Sequence, residues 1–456
     1  MPKHTIPLLL VVLISMLAVL PAPARADDSM PPYFSVRTLE LGDGALVEEM
    51  IIAGPPGPPP GYERERAPVT APDPQAAPDP QAAPDPDAAA GSNALPVPAY
   101  GWTFGCSATS AAMIAAYYDR TGFPNVYSGP TGGGVMPVDS SVWGTWTDGE
   151  SFTYAQCPLA ASRLGLDERV TRGSIDDYWV AYQSGAKDPY MTNHWTQHTL
   201  GDAIGDYMKT SQYDYGNSDG STTFYYWLSM AGPMTCDNMT SYEETVRRDG
   251  TYGQKLFYEA RGYTVADCYS QKTDNVLAGG FTFTQYKAEI DAGRPVMLNL
   301  EGHTVVGVGY DDADNTVYLH DTWDSDLYTM TWGGSYAGMA MQGVSIVHPV
   351  RPVLPAVDDL AAGLTDEGLL ELAWSAVTGA SRYEAWHAVN DPYFTPGDDC
   401  DAPGNLGCTE VTIPGITRSL PAASTTYAVR AVSDGAAPSL STGRVGVFVY
   451  GLAPGG

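Results

Sequence analysis

The spacing of apolar and polar residues changes along the chain, and each change predicts a different kind of structure. Apolar and small residues recur at helical spacing in three stretches: Ser107 to Tyr118, Tyr154 to Leu164 and Tyr242 to Arg261. Short apolar or alternating runs separated by turn residues follow them: Val296 to Leu300, Thr304 to Gly309 and Val317 to His320. Helices followed by antiparallel strands predict an α+β domain over residues 95–349.

Beyond Arg351 the pattern consists of strand-like runs alone. They are Leu369 to Trp374, Tyr383 to Val389, Val411 to Ile413, Thr426 to Val432 and Val445 to Val449. Their spacing predicts an all-β, immunoglobulin-like sandwich of about a hundred residues over 350–456. Three segments resemble strands B, C and F of a fibronectin type III domain: Leu372 to Val377, Ala380 to Glu384 and Tyr427 to Val432. The resemblance implies an adhesive or spacer module without chemistry of its own.

The first residues have the pattern of an export signal. Lys3 and His4 precede an apolar run from Ile6 to Leu20, and Ala24-Arg25-Ala26 offers a cleavage site before Asp27. We therefore predict a signal peptide over 1–26 and a secreted or extracytoplasmic protein, in the periplasm, at the cell surface or outside the cell. An uncleaved anchor is the alternative, although the apolar run is short for a membrane span.

The next two segments differ in composition. Residues 27–53 form a short N-terminal segment with one strand-like stretch, Leu46 to Ile52. Residues 54–94 are dominated by Pro, Ala, Gly and Asp, with Ala-Pro-Asp-Pro-Gln-Ala repeated from Ala71. Such a composition predicts a disordered, extended linker.

Charge and motif content exclude several classes of partner. The chain carries 23 Lys and Arg against 53 Asp and Glu, a net charge of −30, which argues against nucleic acid and anionic membranes. His194 and His198 have helical spacing, but no acidic residue completes a zinc-peptidase motif. We expect no metal, no cofactor and, after signal cleavage, no membrane association.

Six cysteines in an exported chain allow disulfides. If Cys106 remains a free nucleophile, five are left, so at least one more thiol is unpaired within the chain. We predict a disulfide between Cys400 and Cys408 and a second between Cys236 and Cys268. Cys157 is then a buried small hydrophobic residue.

Cys106 and His303 are the candidate nucleophile and base. Cys106 follows Gly105 at the start of an alanine-rich helical run, where unsatisfied backbone N–H groups favour a thiolate. His303 follows Gly302 at the start of a strand. The predicted hairpin after it returns Asp321 to its side, where a carboxylate would orient the imidazole; Asp324 is the second choice. A buried thiol and a core histidine are the plainer alternatives.

Together these segments resemble the family of cysteine peptidases that process bacteriocin leaders after a double glycine, and in particular its secreted relatives. The resemblance covers about residues 96–348. It implies a papain-like fold, with a central helix against an antiparallel sheet, and a triad of Cys106, His303 and Asp321. The glutamine that forms the oxyanion hole in that family stands six residues before the nucleophile, where this chain has Tyr100. Tyr100, Trp102 and Thr103 are the candidate replacements.

The sequence thus predicts a secreted cysteine hydrolase that cleaves amide bonds in a peptide or protein substrate. Two alternatives remain open. One is an inactive peptidase fold that serves as a binding or surface-interaction module, which Tyr100 favours; the other is a cell-wall amidase or acyl transferase with the same triad. A cell-surface or extracellular partner is expected to bind through the C-terminal domain.

Overall fold

The computed structural model of the protein covers most of the chain after residue 32. The described residues are 33–70, 72–74, 93–123, 126–127, 135–147, 153–161, 203–212, 215–218, 220–242, 248–350, 354–394, 396, 400, 406–433, 439 and 443–449. The predicted signal peptide over 1–26, a part of the predicted linker (71 and 75–92) and the pair His194 and His198 lie outside them.

The elements up to residue 350 alternate between strands and short helices. In chain order they are β1 (Phe34–Glu40), β2 (Leu46–Ile52), β3 (Asn93–Ala94), α1 (Cys106–Arg120), a 3-10 helix (Ser140–Val142), β4 (Thr145–Thr147), β5 (Thr153–Ala155), α2 (Ile204–Tyr207), β6 (Thr222–Trp227), β7 (Met234–Thr235), α3 (Cys236–Ser241), α4 (Gly250–Ala260), β8 (Thr264–Lys272), α5 (Phe283–Asp291), β9 (Val296–Leu300), β10 (His303–Asp311), β11 (Thr316–His320), β12 (Tyr328–Thr331), β13 (Ser335–Tyr336) and β14 (Met339–Val350). Within the described residues, none of the helices is long and apolar enough to span a membrane.

The main sheet is built of antiparallel strands and is covered by helix α1. Its strand order is β12-β11-β10-β9-β14-β8-β7, with β3 paired to β10 and β13 to β14. Every residue of α1 except Arg120 is buried. Its alanines allow close approach to β10, where the Ser110 hydroxyl donates to the carbonyl oxygen of Thr304 at 3.0 Å. The start of the helix and the start of β10 therefore lie side by side.

A second, three-stranded sheet joins the N-terminal segment to this region. The hairpin of β1 and β2 pairs through β2 with β6, so that Val47 lies opposite Trp227 and Ile52 opposite Thr222. The predicted strand over Leu46 to Ile52 is present with the same bounds.

The hairpin is fixed by a buried carboxylate. Glu49 is fully buried and accepts hydrogen bonds from Arg37, Arg248 and the Tyr225 hydroxyl, the last at 2.7 Å. Burial would raise the pKa of Glu49, but the hydrogen bonds from Arg37 and Tyr225 and the charge of Arg248 hold it below its ordinary value. The carboxylate therefore stays ionised and ties β2 to the domain.

Two of the helices predicted from apolar spacing differ from the structure. Within the stretch predicted as a helix from residue 154, residues 153–155 instead form β5 against β4, and Pro158 disfavours a helix interior there. Within the stretch predicted as a helix from Tyr242 to Arg261, α4 begins at Gly250, because the Asp249 side chain accepts from the N–H groups of Thr251 and Tyr252 and caps the helix at that point.

Part of the predicted disordered linker is packed against the domain. The N–H of Thr329 donates to the Glu65 carbonyl oxygen at 2.9 Å, and Arg120 Nε donates to the Pro74 carbonyl oxygen at 3.0 Å. Composition indicates that residues 54–74 cannot form their own core. It carries no information about single side chains and carbonyl groups that bind to another surface.

The C-terminal region consists of two antiparallel sheets around one core. Its strands are β15 (Ala361–Leu364), β16 (Leu370–Ala373), β17 (Arg382–Val389), β18 (Gly407–Val411), β19 (Gly415–Arg418), β20 (Thr425–Val432) and β21 (Arg444–Val447). One sheet has the order β15-β16-β19 and the other β18-β17-β20-β21. Leu372, Trp374 and Tyr427 belong to their common core. The predicted run Val411 to Ile413 begins at the last residue of β18 and continues into the bend before β19.

Both predicted disulfides are present. Cys236 is bonded to Cys268 with a Cα–Cα distance of 5.4 Å, and Cys400 to Cys408 with 5.2 Å. Cys106 and Cys157 are free and buried.

Replacing Glu49 tests the anchor of the hairpin. Glu49→Ala should lower the free energy of unfolding by about 3–5 kcal/mol, because the buried Tyr225 hydroxyl and the charge of Arg248 lose their partner. Glu40→Ala, at an exposed position of the same hairpin, should change it by less than about 0.5 kcal/mol. Urea denaturation followed by fluorescence measures both; equal effects would contradict the anchoring role.

Candidate active site

Cys106 is the first residue of helix α1. Gly105 before it has φ 144°, and a Cβ there would lie 2.7 Å from Thr210 Cγ2 and 2.8 Å from the Gly220 carbonyl oxygen, so only glycine fits. No side chain caps this end of the helix. The first N–H groups of α1, which have no partner within the helix, therefore lie next to the thiol.

His303 begins strand β10 and is held in one tautomer. Its Nε2 lies 2.7 Å from the backbone carbonyl oxygen of Asp321. Because a carbonyl oxygen only accepts, Nε2 carries the proton and Nδ1 keeps its lone pair. The Trp323 ring stacks on the imidazole with a centroid distance of 4.2 Å and an interplanar angle of 17°. The ring is thus fixed on one edge and one face.

Asp321 lies beside His303, but its carboxylate has other partners. The carboxylate accepts from the Tyr336 hydroxyl at 2.7 Å, the Trp323 N–H at 3.0 Å and Arg64 at 2.8 Å. The residue expected to complete the triad therefore orients His303 through its backbone carbonyl oxygen. Asp324, the second choice, accepts from Arg64 and from the Tyr328 hydroxyl.

Gly54 lies directly over the Cys106 thiol and the free edge of His303. A Cβ on Gly54 would overlap Cys106 Sγ, and it would lie 3.1 Å from His303 Nδ1. One point in space thus borders both the sulfur and the ring nitrogen, as a nucleophile and its base require. Nδ1 has no hydrogen-bond partner among the described residues.

The pair is neutral in this covered arrangement. Burial raises the pKa of the Cys106 thiol to about 11, although backbone and side-chain hydrogen bonds from Thr304 and Ser107 favour the thiolate. Burial likewise lowers the pKa of His303 to about 4, against the hydrogen bond to Asp321. The low thiol pKa expected from the helix N-terminus is therefore outweighed here by the loss of solvent.

A chain of hydroxyl and amide groups, not predicted from the sequence, supports the thiol. Ser107 Oγ lies 3.9 Å from Cys106 Sγ and 2.8 Å from Thr304 Oγ1. Thr304 Oγ1 donates to the Asn299 side-chain oxygen, whose amide donates to the Tyr226 hydroxyl. Ser107 and Thr304 each directly follow a predicted catalytic residue, and this position was the signal by which the sequence could have identified them. Nothing in the sequence distinguished Asn299.

Two of the three predicted oxyanion residues have other hydrogen bonds. The Tyr100 hydroxyl donates to the Pro137 carbonyl oxygen at 2.6 Å, and the Thr103 hydroxyl donates to the Gly101 carbonyl oxygen at 3.1 Å. Trp102 is buried, with its ring edge-on to Phe104. In the part of the chain that the structure describes, no group of three or more His, Cys, Asp or Glu side chains could hold a metal ion.

Comparison with known families and structures adds independent information. Residues 94–342 match the Peptidase_C39 like family, which is more than half of the chain and includes Cys106, His303 and Asp321. No curated protein matches significantly.

The similar solved structures cover only a minor part of the chain. A Fn3-like protein from Clostridium thermocellum is 21% identical, with a TM-score of 0.16, and the match covers 23% of this chain and 99% of that one. The fn3 domain of human collagen alpha-1(XX) chain is 16% identical, with a TM-score of 0.17, over 23% and 96% of the two chains. A cytokine receptor complex is 15% identical, with a TM-score of 0.17, over 34% and 85%.

The tautomer and charge of His303 can be measured by NMR of the ring nuclei. At about pH 5.5 the ring should be neutral with the proton on Nε2, whereas an unperturbed histidine would be mostly protonated. The unfolded chain takes up this proton first, so His303 should lower stability as the pH falls from 6.5 towards 4. The signal is assigned by its loss in His303→Gln; titration near pH 6.5 would contradict the buried arrangement.

Proposed function

The chain belongs to the Peptidase_C39 like family, and from that premise we propose that it is a secreted cysteine peptidase that hydrolyses amide bonds with Cys106 and His303. The observation that carries the proposal is the position of Cys106 Sγ and His303 Nδ1 around one point, where Gly54 now lies. A substrate carbonyl at that point would meet both the nucleophile and the base.

In the proposed reaction His303 Nδ1 takes the proton of the Cys106 thiol, and the sulfur attacks the substrate carbonyl carbon. The imidazolium then gives this proton to the leaving amine as the C–N bond breaks and a thioester remains. Water, deprotonated by His303, attacks the thioester; the acid is released and the thiol regains its proton. The Asp321 carbonyl oxygen keeps Nε2 protonated throughout and so keeps Nδ1 directed at the sulfur.

The oxyanion is assigned to the backbone of α1. The predicted side-chain donor, Tyr100, is bonded to Pro137, while the uncapped helix offers N–H groups at Cys106 itself. Loss of one oxyanion donor costs about 100- to 1000-fold in rate. Because the Tyr100 hydroxyl already donates to Pro137, it is not free to bind an oxyanion. This favours the rival function, a binding module on an inactive peptidase fold.

We further propose that the C-terminal sandwich is a fibronectin type III-like module for a cell-surface or extracellular partner. Its two sheets contain no part of the proposed Cys-His pair, which lies within 95–349. Two disulfides, Cys236–Cys268 and Cys400–Cys408, support an extracytoplasmic location, because such bonds persist in oxidising compartments.

Removal of the base tests the catalytic proposal. His303→Ala should lower kcat by about 100- to 10,000-fold, because proton transfer to and from sulfur is lost. His348→Ala is the matched control, since His348 hydrogen-bonds Asp267 and Glu289 instead. Turnover of a mixed peptide library is measured in the intact chain and in a Gly54→Val background. A side chain at position 54 cannot fit over Cys106, so the pair should be uncovered in that background. Equal turnover with and without His303 would favour the binding-module rival.

Truncation tests the division of labour between the domains. In the Gly54→Val background, deleting residues 353–456 should leave peptide turnover within about twofold, because the two reacting side chains lie in the preceding domain. Binding to a surface or partner should fall. Loss of turnover in a truncated protein that retains its melting transition would mean that the sandwich completes the site.

A further inference from the structure

We propose that residues 53–67, here called the cleft strap, are a built-in inhibitory segment that occupies the substrate position and must leave before the enzyme acts. This inference rests on the proposed function, because an inhibitor presupposes an activity. The observations that support it concern how the strap crosses the site, how each of its ends is held and what it covers.

The strap crosses the reacting pair at a glycine. Gly54 has φ +60°, a conformation that L side chains rarely adopt, and any Cβ would overlap Cys106 Sγ. Its Cβ would also lie 2.8 Å from Cys106 Cβ. The chain therefore lies in direct contact with the thiol, and glycine is the residue that permits this approach.

Backbone contacts hold the strap on both sides of this crossing. The Ala53 N–H donates to the Tyr33 carbonyl oxygen at 2.9 Å, and the Trp323 indole N–H donates to the Pro55 carbonyl oxygen at 2.8 Å. Trp323 is also the ring that stacks on His303. The same side chain thus fixes the catalytic imidazole and binds the strap.

Beyond the crossing, the strap pairs with the edge strand of the main sheet. Thr329 N donates to the Glu65 carbonyl oxygen, and Ala67 N donates to the Leu327 carbonyl oxygen, both at 2.9 Å, on either side of an antiparallel bridge between Arg66 and Tyr328. Addition of an extended segment to an exposed strand is a common mode of peptide recognition. Here the peptide is part of the same chain.

Arg64 provides the more buried of two electrostatic contacts of the strap; the other, between Arg66 and Asp326, joins two exposed side chains. Arg64 Nη1 lies 2.8 Å from a carboxylate oxygen of Asp321 and 2.8 Å from one of Asp324, and its guanidinium lies 4.4 Å from the Tyr328 ring centroid. The Asp321 side chain is fully buried and that of Arg64 is 21% exposed. In a chain of net charge −30, this cation covers two acidic groups at the end of the site.

The sequence of the strap reduces the cost of holding it in place. Five of the seven residues from Pro55 to Gly61 are proline, which restricts the backbone before docking. The strap is also tethered at both ends, so it competes with a free peptide at high effective concentration. Few contacts are then sufficient to keep it bound.

While the strap is in place, a second molecule cannot reach the Cys106 thiol. Cys106 and His303 are both 0% exposed. If the strap served only to stabilise the fold, its displacement would open the domain and expose the buried Cys157 together with Cys106, whereas an inhibitory strap would uncover Cys106 alone. That difference separates the two roles.

The test measures alkylation of Cys106 by iodoacetamide with a mass readout in the intact, folded protein. Gly54→Val should raise the labelling rate of Cys106 at least about 10-fold, because the strap is driven off the thiol. Gly57→Val is the matched control within the strap, since a Cβ there meets nothing within 4 Å, and should label like the natural protein. Cys157, also free and buried, should stay unlabelled and reports unfolding if it reacts.

A second variant keeps the test decisive if Gly54→Val does not fold. Arg64→Ala removes the buried electrostatic contact and should also accelerate Cys106 labelling, whereas Arg66→Ala, which removes only the exposed ion pair with Asp326, should accelerate it far less. Equal Cys106 labelling in the natural protein and in either folded variant, Gly54→Val or Arg64→Ala, would overturn the inhibitory strap. Faster labelling without peptide turnover would support the strap and count against the proposed peptidase activity.

Discussion

The close contact between helix α1 and strand β10 is the constraint on which the site depends. Small residues along α1 let the helix approach the sheet, and hydroxyl contacts between Ser107, Ser110 and Thr304 fix the two elements at short range. Because Cys106 and His303 each begin one of these elements, the contact that builds the core also sets the distance between thiol and imidazole. Bulkier residues on the face of α1 that meets β10 would push the helix away from the strand. They would thereby also separate the thiol from the imidazole.

The same burial that positions the pair also suppresses its chemistry. A thiolate at a helix N-terminus is favoured by the backbone N–H groups, yet with the strap in place the loss of solvent keeps the thiol and the imidazole neutral. Helix geometry alone is therefore a poor guide to nucleophile strength. The decisive variable is whether water and a substrate can reach the sulfur, and residues 53–67 control that access.

Local sequence signals predicted the parts of the site that depend on local structure. Cys106 after Gly105 and His303 after Gly302 were recognisable because a glycine before each element leaves room that the neighbouring chain uses. The role of Asp321 was predicted in position but not in chemistry, since the orienting atom is a backbone oxygen and the register of β10 against β11 shifts between Gly307 and Gly309.

The strap was not predictable for a different reason. Proline-rich composition predicts that residues 54–74 have no core of their own, but docking requires only partners on another surface. Those partners, Trp323 for the Pro55 carbonyl oxygen and Asp321 with Asp324 for Arg64, lie more than 250 positions away in the chain. Only the folded sheet brings them together.

Asp321 contacts both the strap and His303, but the position of His303 does not depend on the strap. Its carboxylate binds Arg64 of the strap, but it also accepts from the Tyr336 hydroxyl and the Trp323 N–H, which belong to the domain itself. These two bonds hold Asp321, and hence its carbonyl oxygen on His303 Nε2, after Arg64 has left. Displacement of the strap would therefore expose a site that is already ordered, so that activation requires uncovering and no rearrangement of the catalytic pair.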